Sequence, residues 1–447
     1  MIECSSPTFP PTVRLDRRSF VRSSLTLALL PTAADGADHV RPSLLVTYCG
    51  AVADGVTLNT KAIQTGIERL AATGGGTLVV PPGIFLSGAL FFRPGVHLHL
   101  AKGATLRCTT DMAQFPPGRT RIEGHFEEHF TPALINANQC DGFRITGMGV
   151  LDGAGRSVWD QFWHMRATSK NLQNFSNLSL PRARLALIQR SRHVLVEGIT
   201  FKDSQFWNLH LYNCDQVKVR NARFEVPDDY KQAPSTDGID VDSCRHVTID
   251  GCHFSVTDDC VAAKGSKGFH AMKDTGSPPV EHLTILNCTF RRGHHAFACG
   301  SEATIVRNVL MRNCKITGPM ALARLKLRTD TPQIYEDIRF EDIILDSHGG
   351  VIVSIEPWTQ YHDLHGDRPP RSVVRNIRFS RIQGRFGKLG FIRANPGQTK
   401  ISCISIHELN VDLADTKISA SELNNIKFDS VVINGKTINP IPSNTDI

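Results

Sequence analysis

Four short segments carry acidic or basic side chains at the head of otherwise apolar, strand-like runs. They are Ser235-Thr236-Asp237-Gly238-Ile239-Asp240-Val241-Asp242, Thr257-Asp258-Asp259-Cys260-Val261-Ala262-Ala263-Lys264, His294-His295-Ala296-Phe297-Ala298-Cys299-Gly300-Ser301-Glu302 and Arg324-Leu325-Lys326-Leu327-Arg328. With Ile239, Cys260 and Phe297 at equivalent strand positions, Asp237, Asp258 and His295 share one register on successive strands, about 5 Å apart. Carboxylates this close cannot all ionise without cost, so at least one is expected to hold its proton. A protonated acid beside ionised bases is what cleavage of a glycosidic bond needs. His295, Arg324 and Lys326, with Lys264 at the end of the second segment, supply positive charge for an anionic sugar. A plainer reading stands beside this one for Asp240 and Asp242, since acids on a strand edge often do no more than keep it solvated. The adjacent pair Asp258-Asp259 is harder to explain that way, because two acids heading a core strand are unfavourable without a use. His246 and His253 read as structural.

The elements that must position these groups follow from an eight-residue pattern, apolar-x-apolar-x-polar/Gly-x-x-apolar. It runs from Val194 to Phe201, Val217 to Phe224, Val247 to Phe254, Leu283 to Phe290 and Val309 to Ile316. Ile338 to Leu345 and Ile404 to Val411 repeat it, and Phe143 to Val150, Ile377 to Gly384 and Ile426 to Ile433 are looser copies. Alternation at i and i+2 marks a strand, and Asn, Gly or Asp at the fifth position marks a turn. Starts 22 to 30 residues apart, with longer gaps where loops enter, match the coils of a parallel β-helix. A propeller or sandwich would show two-residue hairpin turns, which are scarce here. The expected fold is therefore all-β, one parallel β-helix over residues 35–447. An amphipathic helix from Thr60 to about Ala72 is expected to cap its N-terminal end. Residues from about Thr109 to Pro181 are less regular and are expected to form loops over one face.

Residues 1–34 read as a leader. Arg17 and Arg18, the following Phe20, the apolar run Leu25 to Leu30 and the small residues Thr32 to Ala34 look like a twin-arginine export signal. An ordinary basic secretory leader is the alternative, and either takes the mature chain out of the cytoplasm to the periplasm or beyond. The twelve cysteines do not cluster as a disulfide scaffold does, and no CxxC pair marks a zinc site. Most fall inside apolar runs and read as small core residues. The 447-residue chain has 41% apolar and 21% charged residues, which excludes wholesale disorder. A net charge of +7 without a Lys/Arg block, and 7% aromatic residues, give no nucleic-acid footprint. Past the leader nothing is apolar for long enough to cross a membrane as a helix. Nothing in the chain marks a dimer interface.

At the four charged segments the chain resembles the polygalacturonases and related pectin hydrolases, and the stretches Lys326 to Gln333 and Pro357-Trp358-Thr359-Gln360 look like a bacterial branch of that glycoside hydrolase family. The family's motifs are Asn-Thr-Asp, Gly-Asp-Asp, Gly-His-Gly and Arg-x-Lys, and the likeness extends from about Tyr48 to Ile433. The resemblance implies a right-handed, single-stranded parallel β-helix that hydrolyses pectic polysaccharide with inversion, needing neither metal nor cofactor. It further implies Asp258 as general acid, Asp237 and Asp259 as bases, His295 as support for the acid, and Arg324 and Lys326 as contacts for the sugar carboxylate. Close carboxylates by themselves read as a retaining pair, so product stereochemistry is a question for measurement.

The motifs here are altered to Ser235-Thr236-Asp237, Thr257-Asp258-Asp259 and His294-His295-Ala296. The acids survive while an Asn and two glycines are lost, so hydrolysis is expected on a substrate that need not be plain polygalacturonate. Inserts before Pro181 favour an exo mode. Two rivals belong to other classes. A calcium-dependent pectate lyase would use Asp237, Asp240, Asp242, Asp258 and Asp259 as oxygen ligands. A non-catalytic carbohydrate-binding β-helix would bind and not cleave.

Overall fold

Copies of the repeat up to Leu283 to Phe290 fold into a strand, a turn residue and a second strand, and from Val309 on each copy lies within one continuous strand that keeps the left-handed residue. The computed structural model describes residues 42–438 except 173–174, 361–363, 365 and 422–425, so the expected leader over 1–34 lies outside the described residues. Val194 to Phe201 forms the strands Leu195–Glu197 and Thr200–Lys202, with Gly198 between them at φ 76°. The same position holds Asn221 (φ 50°), Gly251 (66°), Asn287 (54°), Asn313 (54°) and Asp342 (55°). Left-handed backbone is open to Gly and tolerated by Asn and Asp, which explains the composition of this column. Asn313 Nδ2 donates to Asn287 Oδ1 (2.6 Å) and Asn287 Nδ2 to Asp250 Oδ1 (2.7 Å), so the turns bond from coil to coil.

Strands of successive coils pair in parallel, for example Leu209–Tyr212 with Ile239–Asp242 and Ile239–Asp242 with Val261–Lys264. This is the parallel β-helix expected from the repeat. Inside it, side chains at equal positions stack. Leu151, Phe201, Phe224, Phe254, Phe290 and Ile316 pair in sequence along one column. The rings of Phe224 and Phe254 lie 5.0 Å apart at 5°, close to the spacing of the strands themselves. Cys252, Cys288 and Cys314 are free, buried thiols in contact along a second column. Thiols serve there as small apolar residues.

Helix α1 (Thr60–Ala72) caps the first coil with Ile63, Ile67 and Leu70 buried. A Cβ on Gly66 would sit 2.7 Å from Leu78 Cδ1, so glycine sets how closely the helix approaches. The stretch Thr109 to Pro181 is more regular than expected. It contains a whole coil, with strands Ile135–Asn138, Arg144–Gly147 and Val150–Asp152. An antiparallel hairpin, Gly118–Ile122 with His125–Phe130, precedes this coil. Helix α2 (Arg156–Thr168) follows it, anchored by the buried Trp159, whose Nε1–H donates to Ser204 O at 3.0 Å. No helix among the described residues is long and apolar enough to cross a membrane.

Candidate active site

The strands Ile239–Asp242, Val261–Lys264, His295–Cys299 and Ala321–Arg328 stack with Ile239, Val261, Phe297 and Ala323 in register. Counting back along them puts Asp237, Asp259 and His295 in one row. The bonds Gly238 N–H to Asp259 O (2.9 Å) and Cys260 N–H to His295 O (2.8 Å) fix it. This corrects the register expected from sequence, which placed Asp258 in that row. Thr236 and Thr257 do meet, Oγ1 to Oγ1 at 2.8 Å, but the second segment carries one residue more between threonine and strand. Cys260 therefore stands opposite Gly238 and Ala296, and Asp258 falls one residue earlier, where its carbonyl accepts the N–H of His294 (2.9 Å).

Asp259 is 1% exposed. Its Oδ2 accepts from Lys326 Nζ at 2.8 Å and its Oδ1 is held by His295 Nδ1. Burial alone would push this carboxyl up, but Lys326 and then His295 outweigh it and hold it well below the usual range. The histidine expected to support Asp258 thus supports Asp259. Asp258 is met by a different ring, His294, with Nδ1 3.1 Å from Oδ1, while the same oxygen accepts the Asp259 N–H at 3.0 Å. Burial works to raise Asp258 too, and the His294 charge reverses the direction. Asp237 faces Lys264, whose Nζ stands further off, 3.6 Å from Oδ2. Burial first and Asp258 second push it up, so it holds its proton at neutral pH.

Beneath this row lies Lys264, 7% exposed, with Nζ 3.6 Å from Asp237 Oδ2, 3.8 Å from Asp240 Oδ1 and 3.6 Å from Glu302 Oε2. Burial would strip its proton, but the acids around it raise it, and of these three Glu302 is the one held ionised. The two readings of Asp240 and Asp242 separate here. Asp240 belongs to the floor of the site, wholly buried and raised by burial and by Asp237. Asp242 is structural, its carboxylate bound by Arg121 Nε (3.0 Å) and facing His210 Nε2 (3.4 Å). Lys264→Met should cost about 3–5 kcal/mol of stability, because it takes the nearest cation from the buried, ionised Glu302. Urea denaturation of the variant checks this, and a loss below about 1 kcal/mol would show the lysine to be dispensable to the fold.

The cleft above the row measures about 370 Å³, within the range for small-ligand sites. Trp207 and Trp358 form its aromatic surfaces, with Lys264 Nζ 4.8 Å from the first ring and Lys326 Nζ 4.8 Å from the second. Helix α2 contributes Phe162, Trp163 and Arg166 to the wall. Arg324 is placed beside the cleft rather than in its lining. Its guanidinium pairs with Glu356 and Ser354, and its Cζ lies 5.9 Å from the Trp358 ring. Arg182, wedged between Phe162 and Phe206 at 4.3 Å from each ring, donates to Pro234 O (2.8 Å) and so holds the Ser235 segment down.

Reading along single segments passed over several of these residues. Trp207 was recoverable: Leu209 pairs with Ile239, so Trp207 is the member of the Asp237 row one coil earlier. Trp358, marked in sequence only as part of the family-like stretch Pro357-Trp358-Thr359-Gln360, pairs with Arg328 at the far end of a strand, and this pairing brings it to the cleft. Among the described residues, Asp258, Asp259 and His294 bring ligand-type atoms within 4.8 Å of one another. Both Asp259 oxygens are already paired with Lys326 and His295. The five-aspartate calcium cluster does not assemble either, since Lys264 fills the space between Asp237 and Asp240 and Asp242 is bound to Arg121.

Several known proteins share this architecture. An exopolygalacturonase from Thermotoga maritima superposes with a TM-score of 0.65 at 23% identity, over 88% of this chain and 92% of its own. A polygalacturonase from Erwinia carotovora gives 0.64 at 18% identity, over 90% and 99%. In sequence, an exopolygalacturonase of Zea mays is 24% identical over 393 residues, 85% of this chain and 84% of the relative. A probable polygalacturonase of Vitis vinifera is 28% identical over 262 residues, 57% of this chain and half of the relative's length. The family profile described as glycosyl hydrolases family 28 matches residues 97–432, so that, with the coil register and the carboxylate row above, the chain belongs to the family 28 glycoside hydrolases.

Proposed function

We propose that the protein hydrolyses a pectic galacturonan from a chain end, with inversion at the anomeric carbon. The observation that carries this reading is the meeting of Asp237, Asp258 and Asp259 with Lys264 and Lys326 in one aromatic-walled cleft. Asp258, at 28% side-chain exposure the most open of these acids, faces the leaving oxygen and delivers its proton. Asp259, kept ionised by Lys326 and His295, takes the proton of the attacking water. Asp237 was expected to act as a second base. Burial and Asp258 keep it protonated, so it serves instead as a hydrogen-bond donor to the water or to a sugar hydroxyl. Lys264 and Lys326 supply charge for the uronate carboxylate, and Arg324 acts through Trp358. Trp163 and Arg166 of α2 restrict one side of the cleft, which supports the exo mode.

The leader at 1–34 supports export through a twin-arginine route to the periplasm or beyond. Buried free thiols agree with a chain that folds before it leaves a reducing compartment.

The test is incubation with polygalacturonate and, separately, rhamnogalacturonan, with and without EDTA, following products by mass and anomeric NMR. Saturated mono- or disaccharides of inverted configuration, indifferent to EDTA, are the expected products. Unsaturated, EDTA-sensitive products would replace this reading with a lyase. Binding without cleavage would make the chain a lectin.

A further inference from the structure

His294 stands where the family motif has glycine, and its ring reaches Asp258, which pairs with no other cationic side chain among the described residues. We propose that Asp258 and His294 work as a single proton donor, in which the imidazolium supplies the proton that Asp258 passes to the leaving oxygen. The inference rests on the hydrolytic reading above and concerns where its proton is stored.

The geometry is specific. Nδ1 of His294 lies 3.1 Å from Asp258 Oδ1, and the ring is 62% exposed at the cleft wall while Asp258 is 28% exposed. The inner nitrogen thus faces the acid, and the outer edge of the ring faces solvent, from which it can be reloaded. During bond cleavage Nδ1–H moves to Asp258, and Asp258 gives its proton to the glycosidic oxygen as the C–O bond breaks. The pair is left as neutral imidazole and carboxylate. Water attacking the anomeric carbon passes its proton to Asp259, and that proton returns to solvent as the imidazole takes one up.

The groups facing the ring set its titration. Asp258 and Asp259 favour the charged form, while Lys326 and His295, whose ring centroid is 6.0 Å away, oppose it. Lys231 and Arg166 line other parts of the cleft. The balance pushes the His294 imidazole up to about 9, with the Asp258 charge as the largest cause. The His294 charge in turn draws Asp258 down against its burial. An interacting pair loses its protons in steps that belong to the pair, which extends the acid's working range upward.

Two measurements on the full chain test this. In the NMR titration of the imidazole signals, His294 should titrate at least about one unit above the free value of about 6.5. Asp258→Asn should bring it back. Titration at the free value in the wild type overturns the proposal, whatever the substrate. In the pH profile of kcat on the uronide that is cleaved, His294→Gln keeps a hydrogen-bond donor without a titrating proton. It should leave kcat within about threefold near pH 4.5 and lower it about tenfold or more near pH 8, moving the alkaline limb down. His294→Lys should restore much of the alkaline activity. Profiles that fall in parallel at all pH values would reduce His294 to a packing residue and overturn the relay. Absence of cleavage on every uronide would remove the hydrolytic reading and the relay with it, while the titration still reports the ion pair.

Discussion

Asp259→Asn should lower kcat by about 10²–10⁴-fold, the range for loss of a positioned general base. Asn has the shape of Asp, so the Lys326 and His295 contacts lose their charge but not their place. The base is needed only as water attacks, so kcat and kcat/KM should fall together, with KM little changed. A complication can be separated by design. Lys326, 6% exposed, loses its anion in this variant, and breaking a buried pair from one side costs about 3–5 kcal/mol. The double variant Asp259→Asn/Lys326→Met removes both charges and should recover much of that stability while recovering none of the rate. Initial rates at a temperature well below both thermal transitions check the first expectation, and urea titrations the second. A single variant within about threefold of wild-type kcat would move the base to another group, with Asp237 next in line.

Phe254→Ala should cost about 3–5 kcal/mol of stability. Phe254 is wholly buried and stacks on Phe224 at 5.0 Å and 5° and on Phe290 at 5.0 Å and 4°. Deleting it opens a gap between rings held apart by strand hydrogen bonds, so the neighbours cannot close over it. Phe201, at the end of the column, has a ring partner only on the Phe224 side, since its other neighbour is Leu151. Phe201→Ala should therefore cost less than Phe254→Ala, and Phe254→Leu, which nearly fills the space, less than about 1.5 kcal/mol. Denaturant midpoints for the three variants give the order. Equal losses for Phe201→Ala and Phe254→Ala would mean that the stack adds nothing beyond burial.

The coils were legible because a strand, a left-handed turn and a strand leave a fixed signature in eight residues. That signature marks a backbone conformation as well as an apolar face. The turn residue keeps positive φ even where its identity has drifted, as at Arg381 (54°), Glu408 (51°) and Ser430 (56°). Which residues meet was harder to read. Aligning Thr236-Asp237 with Thr257-Asp258 was reasonable, and the threonines do touch, yet one additional residue shifts the carboxylates. A slip of that size cannot be seen without the strand pairing, because alternation is unchanged beyond it. His295 consequently changed partners from Asp258 to Asp259, and His294, noticed only as a lost glycine, became the partner of Asp258. Helix α2 went unread because Val158, Trp159, Phe162 and Trp163 form a helical stripe of a few turns in a chain dominated by alternation. Arg324 shares a strand with Lys326 but ends against Glu356, a residue two positions beyond the strand neighbour Ser354 that no motif announces.

The row Trp207, Asp237, Asp259, His295 has a metrological consequence. Its members are graduations on a ruler whose unit is the distance between hydrogen-bonded strands, about 4.8 Å. That unit is set by peptide geometry, common to every coil and indifferent to which side chains fill the interior. Replacements in the phenylalanine column therefore change how many molecules are folded without recalibrating the instrument in those that are. Loss of a single backbone rung between Asp237 and His295 would do the reverse, displacing every mark beyond it by a whole unit.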